Sequence, residues 1–439
     1  RIDSKQKGAR AFVGICLLPL STGYGWLFPS SVFFMGVMVM IGFALEGGGA
    51  RGAFHMGVVK AFLEEGYEIG GITGTSIGAL NGAIIVQGSF EEGYRTWENL
   101  TPSEVFDIDD EEYQRLIHRN FDRETALKLA STIGRIIRNK GMDTGRLKQF
   151  LQGLIDEDRI RNSPMDFGLV TISLTGLKPL ELYKEDIPEG RLIDYLIASA
   201  NFPGFRLKEI EDSYYIDGGL YDNCPVNLLA RKGYRKVYAV RTLGPGFHRG
   251  VKYPDVKVTH ILPSENLGRI FDFSRDLIRR NLKMGYYDGL RIIRGLKGNR
   301  YYIRPMEEDR LLRALHQLTE RQVSDLGSLF GLSKAEPGRM LQEKILPEIG
   351  NKLGLKKEAD YQDIVVGLLE RLAEKQGLNK YQIYNLNDLL EAIRAGKLPD
   401  APAASGITAS IKNRITESLT GKQRLLRAAR IIAEGVKWV

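Results

Sequence analysis

The pattern of apolar and polar positions divides the chain into an α/β part followed by a helical part. Val37–Leu45 is a continuous apolar run rich in Val, Ile and Met, and it reads as a strand. It stops abruptly at Glu46-Gly47-Gly48-Gly49-Ala50-Arg51-Gly52. Val58, Val59, Phe62 and Leu63 then share one helical face, up to Glu65-Gly66. A second short run, Ile69–Thr73, leads into Gly74-Thr75-Ser76-Ile77-Gly78 and a small-residue helix, Ala79–Val86. This β-loop-α-β-elbow-α order predicts a right-handed crossover and two neighbouring parallel strands. Both loops then lie at the carboxyl end of one sheet, where open α/β sheets hold their ligands.

Residues 90–160 read mostly as charged helix, with Asp143-Thr144 as the cap of a helix over 145–155. Strand-like runs return at Gly168–Leu174, Leu180–Tyr183, Tyr214–Ile216 and Lys236–Arg241. Helices are expected around Arg191–Ala198 and Ile270–Ile293. The α/β domain therefore runs from 37 to 305. From 306 to 439 the spacing is helical only, as in Leu311, Leu312, Leu315 and Leu318. Leu398–Gly406 has linker composition, with the linker placed near 398–406. The tail from Ile411 carries seven Lys/Arg against two Glu, which suits a membrane surface or a helix packed on its own domain with a solvated basic face.

Composition narrows the picture. The chain has 439 residues, 43% hydrophobic and 26% charged, with formal net charge +8. That balance fits a phospholipid surface or simply a basic globular protein, and no nucleic-acid module stands out. Cys16 and Cys224 imply no disulfide framework. His55, His118, His248, His260 and His316 show no metal-ligand spacing, so no metal is expected. Residues 1–36 form a separate N-terminal segment. Lys5, Lys7 and Arg10 precede a stretch, Ala11–Leu45, without any charge. It reads as a signal peptide, an anchor, or sequence upstream of a native start at Met35, Met38 or Met40.

Three motifs carry chemistry. Gly74-Thr75-Ser76-Ile77-Gly78 sits between strand and helix, as a nucleophile elbow requires, with Gly74 and Gly78 allowing the tight backbone. Acyl transfer passes through an oxyanion and needs aimed N–H donors, for which Gly47, Gly48, Gly49, Arg51 and Gly52 are candidates. Arg51 either fixes that loop or steers a phosphate. His55, one turn into the next helix, reads as structural. The loop also matches GxGxxG, but the second strand ends in the elbow instead of the acid that dinucleotide binding needs. Asp217-Gly218-Gly219 places a carboxylate at a strand end, able to reach the serine as general base if burial raises its pKa.

Together, EGGGARG at 46–52, GTSIG at 74–78 and DGG at 217–219 resemble the patatin-like phospholipase family. Ile197–Phe205 and Leu220–Val226, with Asn223 and Pro225, look like the family's segments on either side of the DGG strand. The resemblance covers about 37–305. It implies a three-layer α/β/α fold, Ser76 as nucleophile, Asp217 as base without histidine, and the glycine loop as oxyanion hole. It implies lipid ester hydrolysis without calcium or other cofactor, at a peripheral membrane surface. The expected location is cytoplasmic, or secreted if the N-terminal segment is a signal peptide. Two alternatives stand: a Ser-Asp-His triad using His248 or His260, and a lipid-binding protein without catalysis.

Overall fold

The computed structural model describes residues 40–101, 145–203, 205, 209–332, 337–396 and 419–437. The expectations for 1–36, for the Asp143-Thr144 cap and for the 398–406 linker lie outside the described residues. The first half runs β1 (Ile41–Leu45), α1 (Ala53–Glu64), β2 (Ile69–Thr75), α2 (Ile77–Val86), α3 (Phe90–Asn99), α4 (Gly145–Leu154) and α5 (Glu157–Asn162). It continues β3 (Asp166–Ser173), β4 (Lys178–Tyr183), α6 (Leu192–Ser199), β5 (Glu209–Ile210), β6 (Ser213–Asp217), α7 (Val226–Arg231), β7 (Lys236–Val240), β8 (Lys257–Ile261), α8 (Arg275–Arg294) and β9 (Tyr302–Ile303).

Side chains on a strand alternate between the two faces of its sheet. On β1, Ile41, Phe43 and Leu45 enter one apolar cluster with α1, α2 and α8, while Ala44 enters another with α7. On β7, Tyr238 and Val240 join the first cluster and Val237 and Ala239 the second. Both faces of the central strands are therefore covered, which gives the three layers. The sheet order is β5-β6-β3-β2-β1-β7-β8, with β4 also paired to β3. β1, β2, β3, β7 and β8 run parallel, whereas β4 and β6 pair antiparallel to β3.

One register detail positions the site. Along β3, Thr75 of β2 pairs with Val170, and Asp217 of β6 pairs with the next residue, Thr171. β2 runs parallel to β3 and β6 antiparallel, so the carboxyl ends of β2 and β6 converge on adjacent residues.

Helices α1 and α8 pack closely, because glycines face each other at the crossing. A Cβ on Gly57 would stand 2.0 Å from the Leu282 carbonyl oxygen, and one on Gly285 2.2 Å from that of Phe54. Helix α8 begins at Arg275, five residues later than the expected Ile270. The Ile270 carbonyl instead accepts the Ala50 N–H at 2.8 Å, so residues 270–274 strap the glycine loop and do not wind into helix.

The second half contains α9 (Glu308–Leu315), α10 (Glu320–Leu329), α11 (Leu346–Leu353), α12 (Tyr361–Lys375), β10 (Ile383–Tyr384), α13 (Leu386–Ala395) and α14 (Gly421–Gly435). It surrounds its own apolar cluster, from Tyr301 to Val436. The helical expectation meets one exception: Ile383–Tyr384 pairs parallel with Tyr302–Ile303. The basic tail helix packs on α12, burying Leu425, Ala428, Ala429, Ile432 and Ala433. Its apolar face is thus used inside the protein, and the described part follows the packed-helix reading.

The α1–α8 crossing yields a prediction. Gly57→Ala forces a methyl into backbone that must separate, and thermal unfolding should report a loss of about 3 kcal/mol. An unchanged melting temperature would show that the two helices are free to move apart.

Candidate active site

The two convergent strands each end in a residue singled out from the sequence. Ser76 follows β2 with φ 56 and ψ −127, a strained backbone for a residue with a side chain. The turn is tight because α2 starts at once: a Cβ on Gly74 would meet the Gly78 carbonyl carbon at 2.2 Å. Asp217 ends β6 and is buried, with its Oδ1 accepting the Gly219 N–H at 2.8 Å. Burial pushes its carboxyl pKa up to about 6, against the opposing hydrogen bonds from Gly219 and from the Ser76 side chain. A carboxylate so poised is a far better base at neutral pH than an exposed aspartate.

Sequence reasoning missed the residue that ties the two ends together. Ser199, fully buried at the end of α6, donates to the Val170 carbonyl at 2.7 Å and accepts the Ser76 N–H at 3.0 Å. Two residues on, the Asn201 carbonyl accepts the Asp217 N–H at 3.0 Å, and the Asn201 side chain donates to the Tyr215 carbonyl. The Ile197–Phe205 segment therefore clips Ser76 and Asp217 to the same stretch of β3. The Leu220–Val226 segment does similar work: the Asn223 carbonyl accepts the Gly47 N–H, and the Pro225 carbonyl accepts the Thr73 hydroxyl.

The glycine loop lies over this junction, and the five candidates separate. Gly47 N–H donates to Asn223, and Arg51 N–H to Gly48. Among the described residues, the Gly48 and Gly49 N–H groups have no acceptor, and both residues line the pocket that holds Ser76 and Asp217. Gly47, Arg51 and Gly52 do not line it. Of the five candidates, Gly48 and Gly49 are the two whose amides are without an acceptor among the described residues and border the pocket. The Arg51 guanidinium donates to the carbonyls of Gly268, Thr242 and Leu243, so it fixes the loop and is not aimed at a ligand.

Beneath the loop, Glu46 is fully buried and accepts the N–H groups of Thr242 at 2.6 Å and Leu243 at 2.9 Å. Its Oε1 lies 2.5 Å from His248 Nε2, and Arg241 pairs with it as well. Burial alone would raise its pKa, but the hydrogen bonds from His248 and Arg241 prevail and hold it below the ordinary glutamate value. The Thr242 hydroxyl completes the clamp by donating to the Gly47 carbonyl at 2.5 Å.

Among the described residues, no histidine lines the pocket beside Ser76. His248 belongs to the Glu46 cluster and His260 lies exposed on β8; neither lines the pocket. His55 is fully buried beside Asn81, and burial pulls its pKa down to about 4. Asn81 itself donates to the Gly52 carbonyl and accepts the Trp97 indole N–H, joining loop, α2 and α3. Gly218 and Gly219 are buried after Asp217, and Gly219 also lines the pocket. The pocket walls are mostly apolar, including Ile77, Leu80 and Ile84 of α2 with Phe202, Phe271 and Phe273, alongside the polar Asn81, Thr96 and Asn223. Among the described residues, no group of three or more His, Cys, Asp or Glu is placed to hold a metal ion, and no helix is long and apolar enough to cross a membrane.

Comparison with known proteins places part of the chain in a family. Residues 43–230 match the model of the patatin-like phospholipase family. This chain carries a patatin-like phospholipase domain. An NTE family protein of Mycobacterium tuberculosis is 28% identical over 191 residues, which are 43% of this chain and 45% of that protein. Lysophospholipase NTE1 of Kluyveromyces lactis is 28% identical over 205 residues, 46% of this chain and 12% of that one. The match spans less than half the length of these curated relatives. Among solved structures, VipD from Legionella pneumophila aligns over 91% of this chain and 93% of that one, at 13% identity and TM-score 0.37. The matched segment thus spans the end of β1, the glycine loop, the elbow and the Asp217 turn.

The Glu46 clamp gives a second prediction. A carboxylate with a lowered folded pKa contributes stability above its unfolded pKa, and that stability disappears as pH falls through the folded value. Glu46→Gln should therefore melt below the wild type at pH 7, and the gap should shrink below pH 4.5, the ordinary glutamate value. A gap that stays constant in melts from pH 3 to 7 would contradict the charged clamp.

Proposed function

We propose that this chain hydrolyses fatty-acyl esters of phospholipids or related lipids, with Ser76 as nucleophile and Asp217 as general base. The observation that carries this reading is the meeting of Ser76, Asp217 and the unpaired Gly48 and Gly49 amides in one apolar pocket. The patatin-like domain and the lysophospholipase among the relatives support a lipid substrate.

The chemistry follows from the geometry. Asp217 takes the Ser76 proton as the hydroxyl oxygen attacks the ester carbonyl carbon. The carbonyl oxygen becomes an oxyanion, stabilised by the Gly48 and Gly49 N–H groups and by the adjacent N-terminus of α2. The tetrahedral species collapses, the proton passes to the departing alcohol, and an acyl-Ser76 ester remains. Water then gives its proton to Asp217, attacks the acyl carbonyl and releases the fatty acid, restoring Ser76.

Contact with a lipid surface has its own support. Leu243 and Phe247 are 56% and 57% exposed, flanking the pocket-lining Pro245, and exposed Arg249 and Lys252 follow. An apolar rim edged by cations suits anionic headgroups at the mouth of an acyl pocket.

Two predictions test the catalytic roles. Ser76→Ala and Asp217→Asn should each lower ester turnover at least about 1,000-fold. A raised carboxylate pKa makes folding less favourable as pH rises from about 4 to about 6, so Asp217→Asn should melt no lower than wild type at pH 8. Substantial turnover by Asp217→Asn would remove it from the mechanism. If folded wild-type protein binds lipid yet hydrolyses none, the chain is a lipid-binding protein instead. The base must be ionised to act, so kcat/KM should rise with pH through an apparent pKa of about 6. Asp222, also raised by burial to about 6, does not line the pocket, so the limb should persist in Asp222→Asn. Its loss in that variant would reassign the titration.

A further inference from the structure

The pocket has a regular construction that the catalytic roles do not use. Among the described residues, three helices line it, each with the spacing i, i+3, i+4, i+7. Helix α2 contributes Ile77, Leu80, Asn81 and Ile84. Helix α3 and the residue that caps it contribute Gly93, Thr96, Trp97 and Leu100. Helix α4 contributes Leu147, Phe150, Leu151 and Leu154. Such a stripe is two helical turns of one face, about 10 Å long at 1.5 Å per residue. All three stripes have the same length, and that of α2 begins directly after Ser76.

A polar tie lies at the end of the α2 and α4 stripes. Gln87, just past α2 and buried, donates through Nε2 to the Leu154 carbonyl at 2.8 Å and accepts the Asp156 N–H at 3.0 Å. Leu154 also lines a second, polar cleft together with Gln87, Glu157, Arg159 and Arg161. It is therefore the partition between the apolar pocket and a charged surface. Near the same end, Gly93 leaves room for Ile84, whose Cγ2 would lie 2.4 Å from a Cβ there.

We infer that this three-helix slot gauges the acyl chain, accepting a single chain of medium length with its methyl end against Ile84 and Leu154. An extended hydrocarbon advances about 1.25 Å per carbon, so about 10 Å of slot beyond Ser76 holds about eight to ten acyl carbons. A longer chain would press its end against the Gln87 tie or leave it in the polar cleft, where the apolar transfer gain is lost. The inference rests on the acyl-hydrolase reading for its kinetic form, but the slot has the same length for a bound fatty acid.

The experiment uses the full chain with p-nitrophenyl esters of four to sixteen carbons, kept below their aggregation limits. The same saturated fatty acids then displace a fluorescent fatty acid, in wild type and in Ser76→Ala. Both kcat/KM and affinity should peak at about eight to ten carbons and fall about tenfold or more by sixteen. Leu154→Ala should move the peak to longer chains, and Ile84→Phe to shorter ones, in both measurements. Thermal melts establish that each variant is folded. A wild-type peak at fourteen carbons or beyond, a flat profile, or a peak that neither variant moves would overturn the gauge. Absence of hydrolysis with chain-length-dependent binding intact would instead reject the catalytic reading and leave the gauge standing.

Discussion

Two strands share one edge of β3 and run toward each other, β2 in parallel and β6 in antiparallel pairing. Their ends meet at Val170 and Thr171, neighbouring residues of β3, so the chain must turn away on both sides of a single peptide. The turn after β2 exposes Ser76, and the turn after β6 presents Asp217. Because both are fixed by the hydrogen-bonded ladder of the same strand, their separation does not depend on a flexible loop. Ser199 reinforces the junction by bonding to the Val170 carbonyl and the Ser76 amide at once. A strained φ at Ser76 persists because these surroundings over-determine it.

The environment of the junction links binding to reactivity. The apolar walls of the pocket also bury Asp217, and burial is the largest influence on its carboxyl, raising its pKa to about 6. Under the proposed function, the pocket that takes the substrate is also what tunes the base. The glycine loop supplies the opposite requirement, donors that are kept unpaired. Arg51 and the Glu46 cluster hold the loop, the Ile270 carbonyl is taken by the Ala50 N–H, and the Gly48 and Gly49 amides have no intramolecular acceptor among the described residues.

Much of this was legible in the sequence because it is local. The apolar run, glycine loop, helix, short strand and elbow between Val37 and Val86 follow each other with clear periodicity, and the structure gives them nearly the same bounds. Asp217 was legible as a strand-end acid followed by glycines. What escaped was set by pairings far apart in the chain. The meeting of β2 and β6 depends on the register of β3, which no spacing encodes. Arg51 was ambiguous because a guanidinium satisfies carbonyls as readily as phosphates, and its carbonyl partners lie about 200 residues away. Ser199 looked like an ordinary small residue in a helix. The start of α8 was misplaced because Ile270–Ser274 has helical spacing but is claimed by the glycine loop. Strand β8, with only Ile261 buried, lacks the apolar run that identified the central strands.

The proposed catalysis requires Ser76 and Asp217 to act on one another. A fluorophosphonate reacts with a serine only when its hydroxyl is activated and an oxyanion site is ready, so the labelled peptide and its rate of formation report both. Peptide mass mapping should find the adduct on Ser76 in the wild type, with labelling slowed at least about 100-fold in folded Asp217→Asn. Labelling at another serine, or an undiminished rate at Ser76 without Asp217, would contradict the convergent-strand account.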